Sequence, residues 1–351
     1  MFKRFTYLLL LLGALLVSCA KPVDQAEDNN INDGLEQRDE KPLYALITKE
    51  ESNAYMQKME EGFRQACEEI GADYICYGPS GYSAEAQVEF IESLIDQGVD
   101  AIAIAVNDAD VLDAPLKDAM DKGILVISLD SAANAGSRAL HIQQADPERV
   151  GRVLMQAAAS MIEYDGTVGV ITTTGYATNQ NLWVEWIKQE AADYPEKYKN
   201  IILLPEVYGN DDETETIRQT LYLLEEYPEL DIIITPSVVS MVAVGNTLRE
   251  QGSEVLFTGL GLPSEMADFI KIDKSCPWFY LWNPIELGYI AAQTANALFM
   301  GDINGDIGDV FTAGSLGQRM VTHSVDGGKE VLLGEPLKFD EENITLWKTV
   351  Y

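Results

Sequence analysis

Residues 43–77 read LYALITKEESNAYMQKMEEGFRQACEEIGADYICY. Leu43–Thr48 has the apolar run of a strand. Asn53 can cap a helix, because Met56, Met59, Phe63, Cys67 and Ile70 then recur at helical spacing. Gly71 stands where a C-cap glycine belongs, and Tyr74–Tyr77 is the next strand. The same alternation continues downstream. A helix is expected from Ala84 to Gln97, a strand over Ala101–Val106, a helix from Val111 to Lys122 and a strand over Ile124–Leu129. Such repeated βα units pack as consecutive parallel strands with helices on both faces.

The pattern then restarts. Ala139–Ile142 is read as the first strand of a second set, and Pro147–Glu163 as the helix after it. Strands are expected at Thr167–Thr172, Ile201–Leu204, Asp231–Thr235, Val255–Thr258 and Trp278–Trp282. Helices are expected around 181–192, 212–227, 239–251, 264–271 and 284–300. The tail, 311–351, reads as short strands and turns. The fold class is therefore α/β, with two doubly wound parallel-sheet lobes. The folded part exceeds the size at which one core keeps growing, which also favours two lobes. Two such lobes imply a cleft, with ligand beyond the carboxyl ends of the strands.

The N-terminus carries targeting information. Lys3 and Arg4 precede an apolar run of 11 residues, Tyr7–Val17. That is too short for a bilayer span, which needs ~20 residues, but it suits a signal-peptide core. Leu16-Val17-Ser18-Cys19 resembles the bacterial lipobox, which implies a signal peptide over 1–18 and lipidation of Cys19. Residues 19–41 hold seven acids and no aromatic residue after the cysteine, the composition of a flexible tether. The formal net charge of −33 and the lack of a basic cluster argue against nucleic acid as a partner. Cys67, Cys76 and Cys276 are expected as buried free thiols, with a disulfide open in an exported protein.

The loops after the strands carry the candidate site. Thr48-Lys49-Glu50-Glu51-Ser52-Asn53 follows the first strand, and Asp130-Ser131 follows Ile124–Leu129. Thr178-Asn179-Gln180-Asn181, Thr235-Pro236-Ser237-Val238 and Trp282-Asn283-Pro284 follow later strands. Their carboxylates and amides suit a small polyol, and Tyr55, Trp183 and Trp282 could cover its apolar face. Asn179 has the alternative reading of a helix N-cap, and Asp211-Asp212 reads as a solvated helix start. Catalysis is not expected. The only histidines are His141 and His323, and HExxH, Walker A and GxSxG patterns are absent. No metal or cofactor is expected either. Residues 302–309, DINGDIGD, place oxygen groups at alternate positions, but Ile307 stands where a calcium loop needs its sixth-position glycine and Ala313 where it needs its twelfth-position glutamate, so the segment reads as a surface turn.

Three segments resemble one family. They are Asn53 to Gly71, Gly98-Val99-Asp100-Ala101-Ile102 and Ile127-Ser128-Leu129-Asp130-Ser131. The family is that of type I substrate-binding proteins of ABC importers, the ribose-binding-like group. The nearest likeness is to its autoinducer-two and rhamnose-binding branch. It rests on Ile47-Thr48-Lys49, Asp130-Ser131, Thr178-Asn179-Gln180-Asn181-Leu182-Trp183, Pro236-Ser237-Val238 and Leu281-Trp282-Asn283. The resemblance implies a periplasmic-binding-protein-like I fold with a three-segment hinge. One lobe would be 42–132 plus 283–310, the other 133–282 plus 311–351, with crossings near 131–134, 281–284 and 308–312. It implies Lys49, Asp130, Gln180 and Pro236 as ligand contacts; Tyr55, Trp282 and Asn283 are expected beside them from the reading of the loops and nearby aromatics. Asn179 stands where autoinducer-binding members have Asp, and Val238 where they have Ala. The first change replaces a carboxylate acceptor with an amide, and the second adds bulk. A monosaccharide or deoxysugar is therefore the expected ligand of a monomeric carrier, held to a membrane by its lipid and delivering to an ABC permease. An autoinducer-two-type signal binder, or a sensor subunit for a receptor kinase, is the alternative.

Overall fold

The computed structural model describes residues 41–351. The expected signal peptide, the lipidation site Cys19 and the tether before Lys41 lie outside the described residues. Among the described residues no helix is long and apolar enough to cross a membrane.

The chain begins β1 (Leu43–Ile47), α1 (Ala54–Ile70), β2 (Asp73–Tyr77), α2 (Ala84–Gln97), β3 (Ala101–Ile104), α3 (Ala109–Asp121), β4 (Leu125–Leu129) and β5 (Leu140–Ala145). There follow α4 (Pro147–Met161), β6 (Asp165–Thr172), α5 (Thr178–Asp193), β7 (Asn200–Leu203), β8 (Val207–Tyr208), α6 (Glu213–Glu226), β9 (Leu230–Thr235), α7 (Val238–Gln251) and β10 (Leu256–Gly259). The remainder is α8 (Pro263–Asp268), β11 (Phe279–Leu281), α9 (Pro284–Phe299), β12 (Val310–Thr312), β13 (Gln318–His323), β14 (Lys329–Gly334), β15 (Leu337–Phe339) and α10 (Ile344–Trp347).

The first sheet has the order β12-β13-β14-β5-β4-β3-β1-β2. It is parallel from β2 through β14 and antiparallel at β12 and β13. The second is a parallel sheet ordered β10-β9-β6-β7, with β8 also paired to β6. β11 and β15 form a separate antiparallel pair. The layers around the two large sheets are called the first and second lobe below.

Alternation along the strands of the first sheet explains its two covered faces. Tyr44 and Leu46 join the core under α1 and α9, whereas Ala45 and Ile47 join the core under α2 and α3. In and just after β3, Ala101, Ala103 and Ala105 face the first layer, and Ile102, Ile104 and Val106 the second. Small residues under α9 let helices lie close. A Cβ on Gly62 would sit 1.7 Å from the Ile285 carbonyl oxygen, and one on Gly288 would sit 1.7 Å from that of Met59. Glycine at both positions is what permits α1 and α9 to touch backbone to backbone.

Two expected lobe boundaries are corrected by the pairings. β5 does not start the second sheet; it lies parallel to β4, with Ile127 opposite Leu140. All six of its residues are buried, so it is an interior strand of the first sheet. The connection back from β4 holds only a short 3-10 turn (Ala135–Ser137), which hides the usual helical spacer. The chain leaves the first sheet between Ala145 and Pro147, not near 131–134. The tail is corrected in the same way. β14 pairs with β5, so the last crossing lies between Gly334 and Leu337, not near 308–312. Residues 302–309 form a turn in which the Asp309 carboxylate accepts from the Asn304 and Asp306 amides.

Cys67, Cys76 and Cys276 are free. Burial pushes the Cys67 and Cys76 thiols up to about 12, so both stay protonated.

His141 on β5 is 1 % exposed, and its Nδ1 lies 2.9 Å from Ser128 Oγ. Burial, then the Arg138 guanidinium, hold its pKa at about 3 instead of 6.5. The unfolded chain therefore takes up a proton here between those values and the folded chain does not. The neutral ring's contribution is complete above pH 6.5 and falls with acid by up to about 1.4 kcal/mol per pH unit. His141→Gln should remove that component. Its urea midpoint should decline less steeply from pH 7 towards pH 4 than the wild type's, and parallel declines would refute the assignment.

Candidate functional site

The strand ends of the two sheets converge on one cavity of about 390 Å³, its open mouth included. Lys49 reaches it from beyond β1, and Asp130 from beyond β4. Asn53, Tyr55 and Met56 reach it from the start of α1. Across the cleft come Gln180 and Trp183 of α5, Asp211 before α6, Pro236, Ser237 and Val238 after β9, and Leu260 after β10. Leu281 and Trp282 close it from the crossing before α9.

Local structure explains how these side chains are held. Gln87, fully buried, donates to the Thr48 carbonyl at 3.0 Å and to the Ala105 carbonyl at 2.7 Å, and accepts from the Asn107 amide. Asn107 Nδ2 in turn donates to the Lys49 carbonyl at 3.0 Å. The loop carrying Lys49 is thereby tied to the end of β3. Asp130 has φ 60°, a left-handed conformation that a non-glycine residue adopts at a cost and that Asp tolerates better than most. This turn sets the carboxylate at the cleft.

Asp130 is the hub of the site. Its Oδ2 lies 3.3 Å from Lys49 Nζ, and its Oδ1 accepts from the Tyr55 hydroxyl at 3.1 Å. Ser131 Oγ donates to Oδ2 at 3.3 Å. Trp282 Nε1 donates to Tyr55 Oη at 2.7 Å, so tryptophan, tyrosine and carboxylate form a directional relay. Burial, then the Asp130 carboxylate, push the Tyr55 phenol well above 10, which keeps it a donor. Trp282 also meets Trp183, with ring centroids 5.5 Å apart, and Tyr55 at 6.3 Å, edge to face. Two polar atoms in this wall have no partner: Gln180 Oε1 and Trp183 Nε1. Gln180 is 7 % exposed and Trp183 1 %, and buried polar groups of this kind call for a bonding partner.

Of the residues expected from sequence, Lys49, Tyr55, Asp130, Gln180, Pro236, Val238 and Trp282 lie around this one cavity. Asn179 and Asn283 do not line it. Asn179 Nδ2 lies 3.4 Å from the Asp130 carbonyl oxygen, so its amide faces the backbone behind the carboxylate. It is not an N-cap either, since α5 starts after Ala177 without a side-chain cap. Asn283 Oδ1 accepts from the Ile285 and Glu286 amides at the start of α9 and is occupied as a cap. Met56, Leu260, Leu281 and Asp211 were not anticipated. Asp211 follows β8, a strand of two residues, too brief to stand out in sequence.

Two lobes that meet around a small pocket between their strand ends define a solute-binding architecture. Residues 44–303 match the periplasmic binding protein domain family. An ABC transporter solute-binding protein from Clostridium phytofermentas, solved with bound L-rhamnose, is 39% identical. That match covers 89% of this chain and 99% of that one, with a TM-score of 0.85. LsrB from Clostridium saccharobutylicum, solved with AI-2, has a TM-score of 0.78 over 86% of this chain and 98% of its own; at 22% identity it attests the fold alone. A D-ribose/D-allose-binding protein from Pseudomonas aeruginosa is 28% identical over 149 residues, 40% of this chain. The match spans about half, 46%, of that curated relative. The chain belongs to the periplasmic binding protein domain family, whose members are binding proteins and not enzymes.

Trp183 and Trp282 give the cavity an optical reporter. Ligand entering it should change tryptophan emission, and Trp282→Phe should reduce that change. Calorimetric binding without any emission change in the wild type would place the ligand elsewhere.

Proposed function

We propose that this chain is the solute-binding component of an ABC importer and that its cleft captures a neutral monosaccharide, a deoxysugar foremost. The observation that carries the proposal is the cavity around Asp130. There a buried carboxylate, an ammonium, a phenol and the two unpartnered atoms Gln180 Oε1 and Trp183 Nε1 converge beside tryptophan faces. A sugar ring offers hydroxyls to the polar atoms and C–H faces to the indoles, the combination found in small-molecule sites. Met56, Val238, Leu260 and Leu281 add an apolar wall suited to a methyl group in place of a hydroxymethyl. The relative solved with L-rhamnose, a deoxysugar, supports the same class. Lys49, Tyr55, Asp130, Gln180, Pro236, Val238 and Trp282 are the proposed contacts.

Binding is expected to stabilise the form in which both lobes touch the ligand, and that form is the one a permease would recognise. The purified protein should gain about 2.7 kcal/mol of stability at ~100 times the dissociation constant of its ligand. L-Rhamnose, pentoses, hexoses and AI-2 form the panel for thermal unfolding. Asp130→Asn should weaken the best sugar roughly 10–100-fold, the value of a charge-assisted hydrogen bond. A shift with AI-2 and with no sugar would replace the monosaccharide reading by the signal-binding one.

The family places the protein outside the cytoplasm, and we further propose that a lipid on Cys19 anchors it to a membrane there. Cys19→Ser should move the protein from the membrane pellet to the soluble fraction of the producing cell. Unchanged fractionation would overturn the anchor.

A further inference from the structure

Asp211 is the second carboxylate of the cavity and the only one contributed by the second lobe. The Gly209 amide bonds the Thr172 carbonyl and the Asn210 amide that of Thr173, which ties this loop to the end of β6. Asn210 and Asp211 then take φ values of 56° and 54°, two successive left-handed residues without a glycine. The neighbouring acids consequently separate. Asp212 caps α6, its Oδ1 accepting from the Glu215 amide, while Asp211 borders the sugar cavity.

Its surroundings leave the carboxylate partly engaged. Ser237 Oγ donates to Asp211 Oδ1, and Ser237 is itself fixed as the cap of α7 by the Ser240 amide. From the first lobe, the Tyr82 hydroxyl hydrogen-bonds the Asp211 carboxylate, and its Oη accepts from Asn53 Nδ2 at 2.8 Å. Asp211 also borders the two cavities on either side, one shared with Tyr82 and Asn53 and one with Tyr82 and Asn107. It is thus shared by all three cavities. Lys49, the one cation lining the pocket among the described residues, lies against Asp130, and the Asp211 carboxylate is met by the Ser237 and Tyr82 hydroxyls. On the same lobe the acceptor Gln180 Oε1 is more than nine-tenths buried and unpartnered. An unpartnered acceptor, beside a carboxylate with lone pairs still to share, on one side of the pocket asks for hydroxyl donors from whatever fills it.

We infer that Asp211 is a ligand-gripping residue of the second lobe, accepting a ring hydroxyl opposite the one held by Asp130. This rests on the monosaccharide reading above and extends it. The sugar would be clasped between one carboxylate from each lobe, so that closure and hydroxyl recognition are the same event. Asn179 has its amide on the Asp130 backbone and leaves that role to Asp211.

The test is calorimetry of L-rhamnose and its monodeoxy analogues on wild type, Asp211→Asn, Asp211→Ala and Tyr82→Phe, with thermal unfolding confirming that each variant folds. Asp211→Asn should weaken L-rhamnose roughly 10–100-fold. One analogue, lacking the gripped hydroxyl, should lose affinity for the wild type but not for Asp211→Ala, the signature of direct contact in a double-mutant cycle. Tyr82→Phe should weaken all sugars alike. Wild-type affinity in both Asp211 variants would overturn the inference and leave the monosaccharide reading standing. Equal losses for every analogue in wild type and Asp211→Ala would overturn it too, making Asp211 a latch for Tyr82. Failure of the wild type to bind L-rhamnose or any other sugar would overturn both readings.

Discussion

The strands of the first sheet are covered by helices on both faces, and that double burial governs where chemistry can occur. Along β1, β3 and β4 side chains alternate between two apolar layers, and neither layer has room for an unpaired charge. Polar side chains that must meet a solute can appear only beyond the carboxyl ends of the strands. Lys49 and Asp130 sit there, past β1 and β4, and Pro236 and Leu260 hold the corresponding places past β9 and β10 of the second sheet. The glycine contacts between α1 and α9 belong to the same constraint. They bring α1 down on the sheet and fix the first turn of α1, with Tyr55, over Asp130.

The site depends on a charge pair removed from water. Lys49 and Asp130 side chains are 6 % and 5 % exposed, and such a pair offsets its desolvation only when further hydrogen bonds satisfy it. Tyr55, Ser131 and the Trp282–Tyr55 link supply them on one side. The second lobe faces that network with an apolar wall, an indole N–H, a carboxamide oxygen and a carboxylate. Within the cavity lining the first lobe is thus largely self-satisfied, and the unpartnered atoms, Gln180 Oε1 and Trp183 Nε1, lie on the second lobe. A polyol between the lobes would partner those atoms, which gives closure a thermodynamic reason as well as a geometric one.

Much of this was legible along the chain because it is local. The helix caps at Asn53 and Gly71, the boundaries of α2 at Ala84 and Gln97, and the start of α9 at Pro284 follow from short-range spacing and backbone preference. Candidate groups were legible by one rule, the loop after a strand, and Lys49, Asn53, Asp130, Gln180, Pro236, Ser237, Val238 and Trp282 from those loops surround a single cavity. The same rule missed Asp211, because β8 has only two residues and leaves no periodic trace. It also included Asn179 and Asn283, whose amides are directed to backbone groups by the three-dimensional course of the chain.

The sequence by itself determined the alternation of strands and helices, the α/β class and the polar character of the loops, since each depends on residues a few positions apart. Only the tertiary structure decided that β5 and β14 join the first sheet, that Asp211 and Asp212 part to different tasks, and which wall of the cavity is left with unpartnered polar atoms. Those outcomes depend on pairing and burial between segments up to some two hundred residues apart, such as β5 with β14. No local preference encodes a contact over that separation; it is settled by which packing buries the apolar faces of both sheets at once.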